Sequence, residues 1–261
     1  DHDVKPYVQE VDIHWIPVEF PLALKEVQQN LKECFKTKLK DMQQLGYYNG
    51  DFSESKTEML KLQGQLQGEI AQGNKDMTIL KSISLAAEAM KVQHAIELVE
   101  TQGTEVLKLY MEDIEGQAAM SKIKAVQNLV RDLQWRSALL KIRLLYQQEV
   151  EHPKLEKLST IIKERIAEKQ ESKIIVFSSY RDTGNKIMRE LNKLQNVQAR
   201  LFIGQANKRT IGLSQKEQVA MLEEFRQGTY NVLVSSSVGE EGLDIPQVDL
   251  VIFYEPIPSA I

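Results

Sequence analysis

At 261 residues the chain has room for two domains of ordinary size, and 42% hydrophobic against 27% charged residues is the balance of a globular protein with a real core. One cysteine, Cys34, excludes a disulfide framework, and four scattered histidines (His2, His14, His94, His152) show no ligand spacing, so no metal site is expected. With 33 basic and 37 acidic residues the net charge is −4, which excludes a uniformly basic nucleic-acid binder; no apolar run reaches the ~18 residues of a membrane span, so no membrane partner is expected. No signal peptide precedes Asp1, and the chain reads as intracellular.

Residues 1–21 alternate apolar and polar positions, with Val11, Ile13 and Trp15, then Ile16, Val18 and Phe20. The pattern predicts one or two short strands, with Pro17 limiting interior pairing. It begins without a turn or a helix start, and reads as the tail of an upstream domain.

From residue 22 to about residue 150 the period becomes helical and predicts an all-α bundle with short turns. Leu24, Val27, Leu31, Phe35, Leu39, Met42 and Leu45 form one stripe, ended at Gly46-Tyr47-Tyr48-Asn49-Gly50. Ser55 and Glu58 suit a capping box for a second helix through Ile70, closed by Gly73-Asn74 and weakened by Gly64, Gly68 and Gly73 at roughly 1 kcal/mol each. Asp76 caps a third helix through Val99, and Gly103-Thr104 ends it and caps the next. After Gly116 one long helix is expected to Gln148, on the stripe Ile123, Val126, Leu129, Val130, Leu133, Leu140 and Leu144, which reads as bundle core. Between residues 118 and 148 the cations Lys122, Lys124, Arg131, Arg136, Lys141 and Arg143 face only Asp132, a local net charge of +5. Such a field suits phosphate even on an acidic chain.

At His152-Pro153 the pattern resets, and residues 151–261 read as an α/β domain. Pro153 opens a helix carrying Leu155, Leu158, Ile161, Ile162 and Ile166. Ile174–Phe177 predicts a buried strand, and Asp182 or Thr183 caps a helix with Ile187, Leu191 and Leu194. Val197–Ile203 predicts a second strand, Ser214-Gln215-Lys216-Glu217 a capping box and Gly228 a helix stop. Val232–Val234 and Val248–Phe253 complete the strands. The order predicts a parallel sheet with helical crossovers and flanking helices. The last strand lies close to Ile261, so the sheet is expected to continue beyond it.

Three strands run into small polar residues: Ser178-Ser179-Tyr180-Arg181, Gly204-Gln205 and Ser235-Ser236-Ser237. In a parallel sheet these share one edge, where hydroxyls, backbone amides and an arginine suit phosphates. Ile174–Arg181 resembles motif IV of superfamily 2 helicases, Gly204-Gln205 with Leu213–Gln218 resembles the region called IVa, and Ser235–Pro246 resembles motif V. With His152-Pro153-Lys154-Leu155, Val4-Lys5-Pro6-Tyr7-Val8 and Phe253-Tyr254-Glu255-Pro256, these are similar to the archaeal Hef and eukaryotic FANCM helicases.

The resemblance implies a helical, thumb-like insertion at 22–150 and a second RecA-like domain, incomplete at its carboxyl end, at 151–261. It implies that Ser178, Ser179, Tyr180, Arg181, Gly204, Gln205, Ser236 and Val238 lie on the nucleic-acid backbone. It puts Gly239, Glu241, Gly242 and Asp244 on the ATP side, with Asp244 bonding the ribose or orienting an arginine. Neither Glu240 nor Glu241 is expected to be catalytic. The sequence has no G-x-x-x-x-G-K-[ST], no D-E-x-H stretch and no arginine-rich motif VI. ATP and Mg2+ are therefore expected in the parent protein and not on these residues alone. The expected partner is forked or branched DNA, gripped without sequence readout and in part by the six insertion cations. Two other readings stay open: a RIG-I-like or Dicer-like double-stranded RNA translocase, and a non-catalytic scaffold for a protein partner. The resemblance implies a nucleoid-associated protein in an archaeon and a nuclear one in a eukaryote.

Overall fold

The computed structural model describes residues 12–49, 56–74, 76–203, 213–235 and 247–255. Its first body is a helical bundle built from α1 (Leu22–Gln44), α2 (Lys56–Ala71), α3 (Met77–Thr101), α4 (Thr104–Met120), α5 (Lys124–Leu129) and α6 (Leu133–Gln147). The α1 stripe is buried as its period requires, and α1 lies against both α3 and α6. Gly46, at φ 80°, closes α1, its N–H donating to the Gln43 carbonyl. Asp76 caps α3 by accepting from the Thr78 N–H. The Ser55 cap lies outside the described residues.

Inside this bundle an ion triad replaces hydrocarbon. The Lys38 ammonium sits 3.1 Å from a Glu88 carboxylate oxygen and 2.9 Å from one of Asp132, with Cys34 buried beside it. Burial opposes both charges, yet the Asp132 hydrogen bond and the Glu88 charge hold the Lys38 pKa above its usual value. The Asp132 carboxyl, also opposed by burial, is held below its usual range by Lys38.

Four local expectations need correction. Described residues 12–20 form no strand: Ile13 and Trp15 are largely exposed, and no described strand pairs with them. The long helix after Gly116 is three pieces. An added Cβ at Gly116 would meet nothing within 4 Å and α4 runs through it, whereas Asp132 accepts from the Gln134 and Trp135 N–H groups and starts α6 afresh. The expected stripe divides accordingly: Val126 and Leu129 are core, while Ile123, Leu133, Leu140 and Leu144 are exposed. Thr104 does not cap α4; Gly103 holds that position at φ 92°, and the Thr104 hydroxyl donates to the Val150 carbonyl. Neither Asp182 nor Thr183 caps its helix, because that helix already begins at Arg181.

The second body follows α7 (Lys154–Glu168) and alternates β1 (Ile174–Phe177), α8 (Arg181–Leu191), β2 (Ala199–Phe202), α9 (Gln215–Arg226), β3 (Val232–Ser235) and β4 (Leu250–Phe253). All pairings are parallel, in the order β2-β3-β1-β4. Alternation along the strands makes two cores. Ile174, Val176, Val232 and Val234 pack with Leu158, Ile162, Ile187 and Leu191, while Ile175, Phe177 and Leu233 pack with Leu222 and Phe225. Ser214 and Glu217 form the expected capping box at the start of α9, and Gly228, at φ 76°, ends it. Each strand thus delivers its carboxyl end to the same edge.

Candidate nucleic-acid site

Register decides what meets at that edge. Phe177, Phe202 and Ser235 are aligned across β1, β2 and β3, and Phe253 lies beside Phe177. The ladder continues past the strands: Ser178 N–H donates to the Ser235 carbonyl at 2.9 Å, and Tyr254 N–H to the Phe177 carbonyl at 2.9 Å. Ser178, Ser179, Ser235, Tyr254 and Glu255 therefore surround the exit of β1.

The two serines there differ. Ser178 is buried, its hydroxyl 3.3 Å from a Glu255 oxygen and 3.4 Å from the Tyr180 carbonyl. Ser179 is exposed, and its N–H donates to the other Glu255 oxygen at 2.8 Å. Tyr180 turns toward the bundle, donating to Glu97 at 2.7 Å with its ring 5.9 Å from that of His94. Burial and then the Glu97 carboxylate push its phenol pKa up. Arg181 is exposed at the first turn of α8. Gly204, Gln205, Ser236, Val238, Gly239, Glu241, Gly242 and Asp244 lie outside the described residues.

Sequence reasoning missed the groups that hold this edge against the bundle. Glu255 also accepts from Gln102, at the end of α3, at 2.7 Å, and the Gln102 carbonyl oxygen accepts from the Thr183 hydroxyl of α8. Lys154 donates to the Thr101 carbonyl and lies 4.4 Å from the Tyr254 ring centroid. Burial depresses the Lys154 pKa, and the charge of Glu255 opposes that shift. Next to it, Lys186 reaches Glu151 at 2.5 Å and Glu105 at 3.5 Å, and Arg189 reaches Glu105 at 3.0 Å. The one available signal was Glu255 within Phe253-Tyr254-Glu255-Pro256; its partners, far away in sequence, gave none.

The six bundle cations do not form one free group. Lys141 lies 3.2 Å from Glu26, and Arg143 binds Glu112 at 2.9 Å and Glu115 at 2.6 Å. Burial would raise the Glu112 carboxyl, but Lys108 and Arg143 hold it below its usual range. Lys122, Lys124, Arg131 and Arg136 are exposed around α5 and the start of α6, with no acidic partner among the described residues. Among the described residues no group of His, Cys, Asp and Glu has metal-ligand geometry, and no described helix is long and apolar enough to cross a membrane.

Known proteins share this arrangement. Residues 23–152 match the family described as "Putative ATP-dependent RNA helicase, helical bundle", and residues 153–260 match "Helicase conserved C-terminal domain". The Pyrococcus furiosus Hef helicase domain superimposes with a TM-score of 0.80 at 40% identity, covering 100% of this chain and 53% of that one. This chain belongs to the superfamily 2 helicases of the Hef and FANCM kind. It is 37% identical over 100% of its length to the Methanocaldococcus jannaschii protein named "Putative ATP-dependent RNA helicase MJ1505". It is also 26% identical over 99% of its length to the "ATP-dependent DNA helicase fml1" of Schizosaccharomyces pombe. It spans 32% of each of those two relatives. In family terms, the sheet with its flanking helices is RecA-like, as expected.

Proposed function

We propose that these residues are the helical insertion and most of the second RecA-like domain of an ATP-dependent DNA helicase or translocase that acts on forked or branched DNA during replication-fork repair. In this reading residues 1–21 close a first RecA-like domain, and ATP with Mg2+ binds between the two RecA-like domains of the intact protein. Asp244, with Gly239, Glu241 and Gly242, faces that nucleotide. The 261 residues alone do not hydrolyse ATP, since their sequence contains no phosphate-cradling G-x-x-x-x-G-K-[ST].

The observation that carries the reading is the shared edge at β1 and β3, where Phe177 is aligned with Ser235, Ser178 N–H donates to the Ser235 carbonyl, and exposed Ser179 and Arg181 follow directly. Backbone amides, hydroxyls and an arginine hold a strand by its phosphates and read no bases, so binding is structure-selective and salt-sensitive. Lys122, Lys124, Arg131 and Arg136 supply a second phosphate contact on the bundle. The DNA-helicase name of fml1 favours DNA, while the RNA-helicase name of MJ1505 keeps double-stranded RNA as the rival. Stimulation of ATP hydrolysis by the intact protein separates them. Forked DNA stimulates more strongly than matched double-stranded RNA if the reading is right, and the reverse order overturns it. Asp244→Ala in the intact protein lowers ATPase activity without unfolding; full activity removes Asp244 from the site.

A further inference from the structure

A polar relay crosses from the sheet to the bundle. Ser179 N–H donates to one Glu255 oxygen at 2.8 Å, Gln102 Nε2 donates to the other at 2.7 Å, and Thr183 donates its hydroxyl to Gln102 Oε1. Gln102 is 2% exposed and Thr183 1%. The relay joins the exits of β1 and β4, the carboxyl end of α3 and the first turn of α8. Its donor order is fixed chemically. An ionised Glu255 only accepts, a threonine hydroxyl can donate, and a glutamine amide does one at each end. At its buried end, Gln102 and Thr183, this pairing specifies one arrangement, because a slip there strands a donor or an acceptor away from water.

We infer that Gln102 and Glu255 are positioning residues, which set the nucleic-acid face of the β1 exit by fastening it to the α3–α4 turn of the bundle. Glu255 holds the Ser179 N–H from behind and so fixes how Ser179 and Arg181 are presented. Gln102 carries that constraint into α3, and the Tyr180–Glu97 bond at 2.7 Å repeats it one turn earlier in the same helix. Bundle and sheet therefore turn together when nucleic acid engages either one. The functional half of this inference rests on the nucleic-acid reading of the strand ends; the fastening itself does not.

The test reverses the polarity of one hydrogen bond. Gln102→Glu sets carboxylate against carboxylate, and Glu255→Gln sets amide N–H groups against each other. The double variant restores the order, with an amide at 255 accepting from Ser179 and donating to a carboxylate at 102. Spin labels at Lys40→Cys on α1 and Lys216→Cys on α9 report the distance between the bodies, since Cys34 is buried. The 261-residue chain gives one narrow distance distribution, each single variant broadens it, and the double variant narrows it again. Thr183→Val, which removes only a hydroxyl, serves if a charged variant fails to fold, and broadens the distribution too. Lys193→Ala, which removes an ion pair to Glu190 confined to the sheet body, leaves it unchanged. An unbroadened single variant, or a double variant no narrower than the singles, overturns the fastening. For function, affinity for a labelled single-stranded oligonucleotide falls on the order of tenfold in Gln102→Glu and returns in the double variant. Broadening with unchanged affinity overturns the positioning role. Absence of binding by the unsubstituted chain overturns the strand-end reading itself, and leaves the fastening to the distance measurement.

Discussion

Gln102 and Glu255, 153 positions apart in the chain, meet through a 2.7 Å hydrogen bond that joins the helical bundle to the edge of the parallel sheet. Around it the linker between the bodies is pinned on both sides. The Thr104 hydroxyl holds the Val150 carbonyl at 2.6 Å, and Lys186 holds Glu151. This joint is polar, with charges partly sheltered from water, so its energy depends on complete pairing more than on area.

The turn at Gly103 tests how closely the joint is packed. Its φ of 92° favours glycine, and an added Cβ would lie 2.9 Å from a Glu151 carboxylate oxygen and 3.3 Å from the His152 Cβ. Gly103→Ala lowers the unfolding free energy by about 2 kcal/mol or more in urea titrations. Gly64 and Gly68 have nothing within 4 Å of an added Cβ, so Gly64→Ala and Gly68→Ala each stabilise by up to about 1 kcal/mol. Equal effects at Gly103 and Gly64 would contradict the packing described.

The buried triad makes Lys38 indispensable to the bundle. Lys38→Met leaves the carboxylates of Glu88 and Asp132 without their cation, at a cost of about 3–5 kcal/mol. Cys34 reports the loss. Burial, and next the Asp132 charge, push its thiol pKa up, so the native bundle reacts slowly with thiol reagents. Lys38→Met speeds that reaction under native conditions; unchanged stability and reactivity would mean that the triad contributes nothing.

His152 gives the chain an acid sensitivity with a definite sign. Burial, and then the Lys154 charge, lower its pKa from 6.5 to about 4, and its Nδ1 accepts from the Lys154 N–H at 3.2 Å. The unfolded chain therefore takes up this proton first. The contribution of His152 is complete above about pH 6.5 and is lost as pH falls toward 4, on the order of 3 kcal/mol in all. Urea unfolding at pH 7 and pH 5 should show the loss, and His152→Asn should lack this part of it. Equal pH slopes in the two proteins would contradict the assignment.

What could be read from the sequence was local. Asp76, the Ser214–Glu217 box and the Ile174–Phe177 strand depend on neighbours within a few positions, and each stands where the pattern puts it. The Asp132 cap was hidden, because the leucine period runs straight through it and a cap interrupts no apolar stripe. Residues 12–20 misled in the opposite way: alternation marks a possible strand but supplies no partner to pair with. At the site, Ser179 and Arg181 were legible as strand-end residues, whereas the inward turn of Ser178 depends on Glu255, 77 positions on, and the capture of Tyr180 by Glu97 depends on a helix 83 positions away. Likewise, the sequence tally of six bundle cations could not show that acids of α1 and α4 engage Lys141 and Arg143.

The central claim, that this chain grips branched DNA partly through its bundle, is tested most directly by fluorescence anisotropy. The chain is titrated against a labelled fork and a matched linear duplex across a salt series, beside the quadruple variant Lys122→Ala, Lys124→Ala, Arg131→Ala, Arg136→Ala. The account predicts tighter binding to the fork, and a slope of log K against log salt that is shallower by up to about 3–4 in the variant. Lys141→Ala with Arg143→Ala, whose charges are already paired, changes the slope far less. No preference for the fork, or an unchanged slope in the quadruple variant, would contradict the claim and leave the bundle a structural spacer.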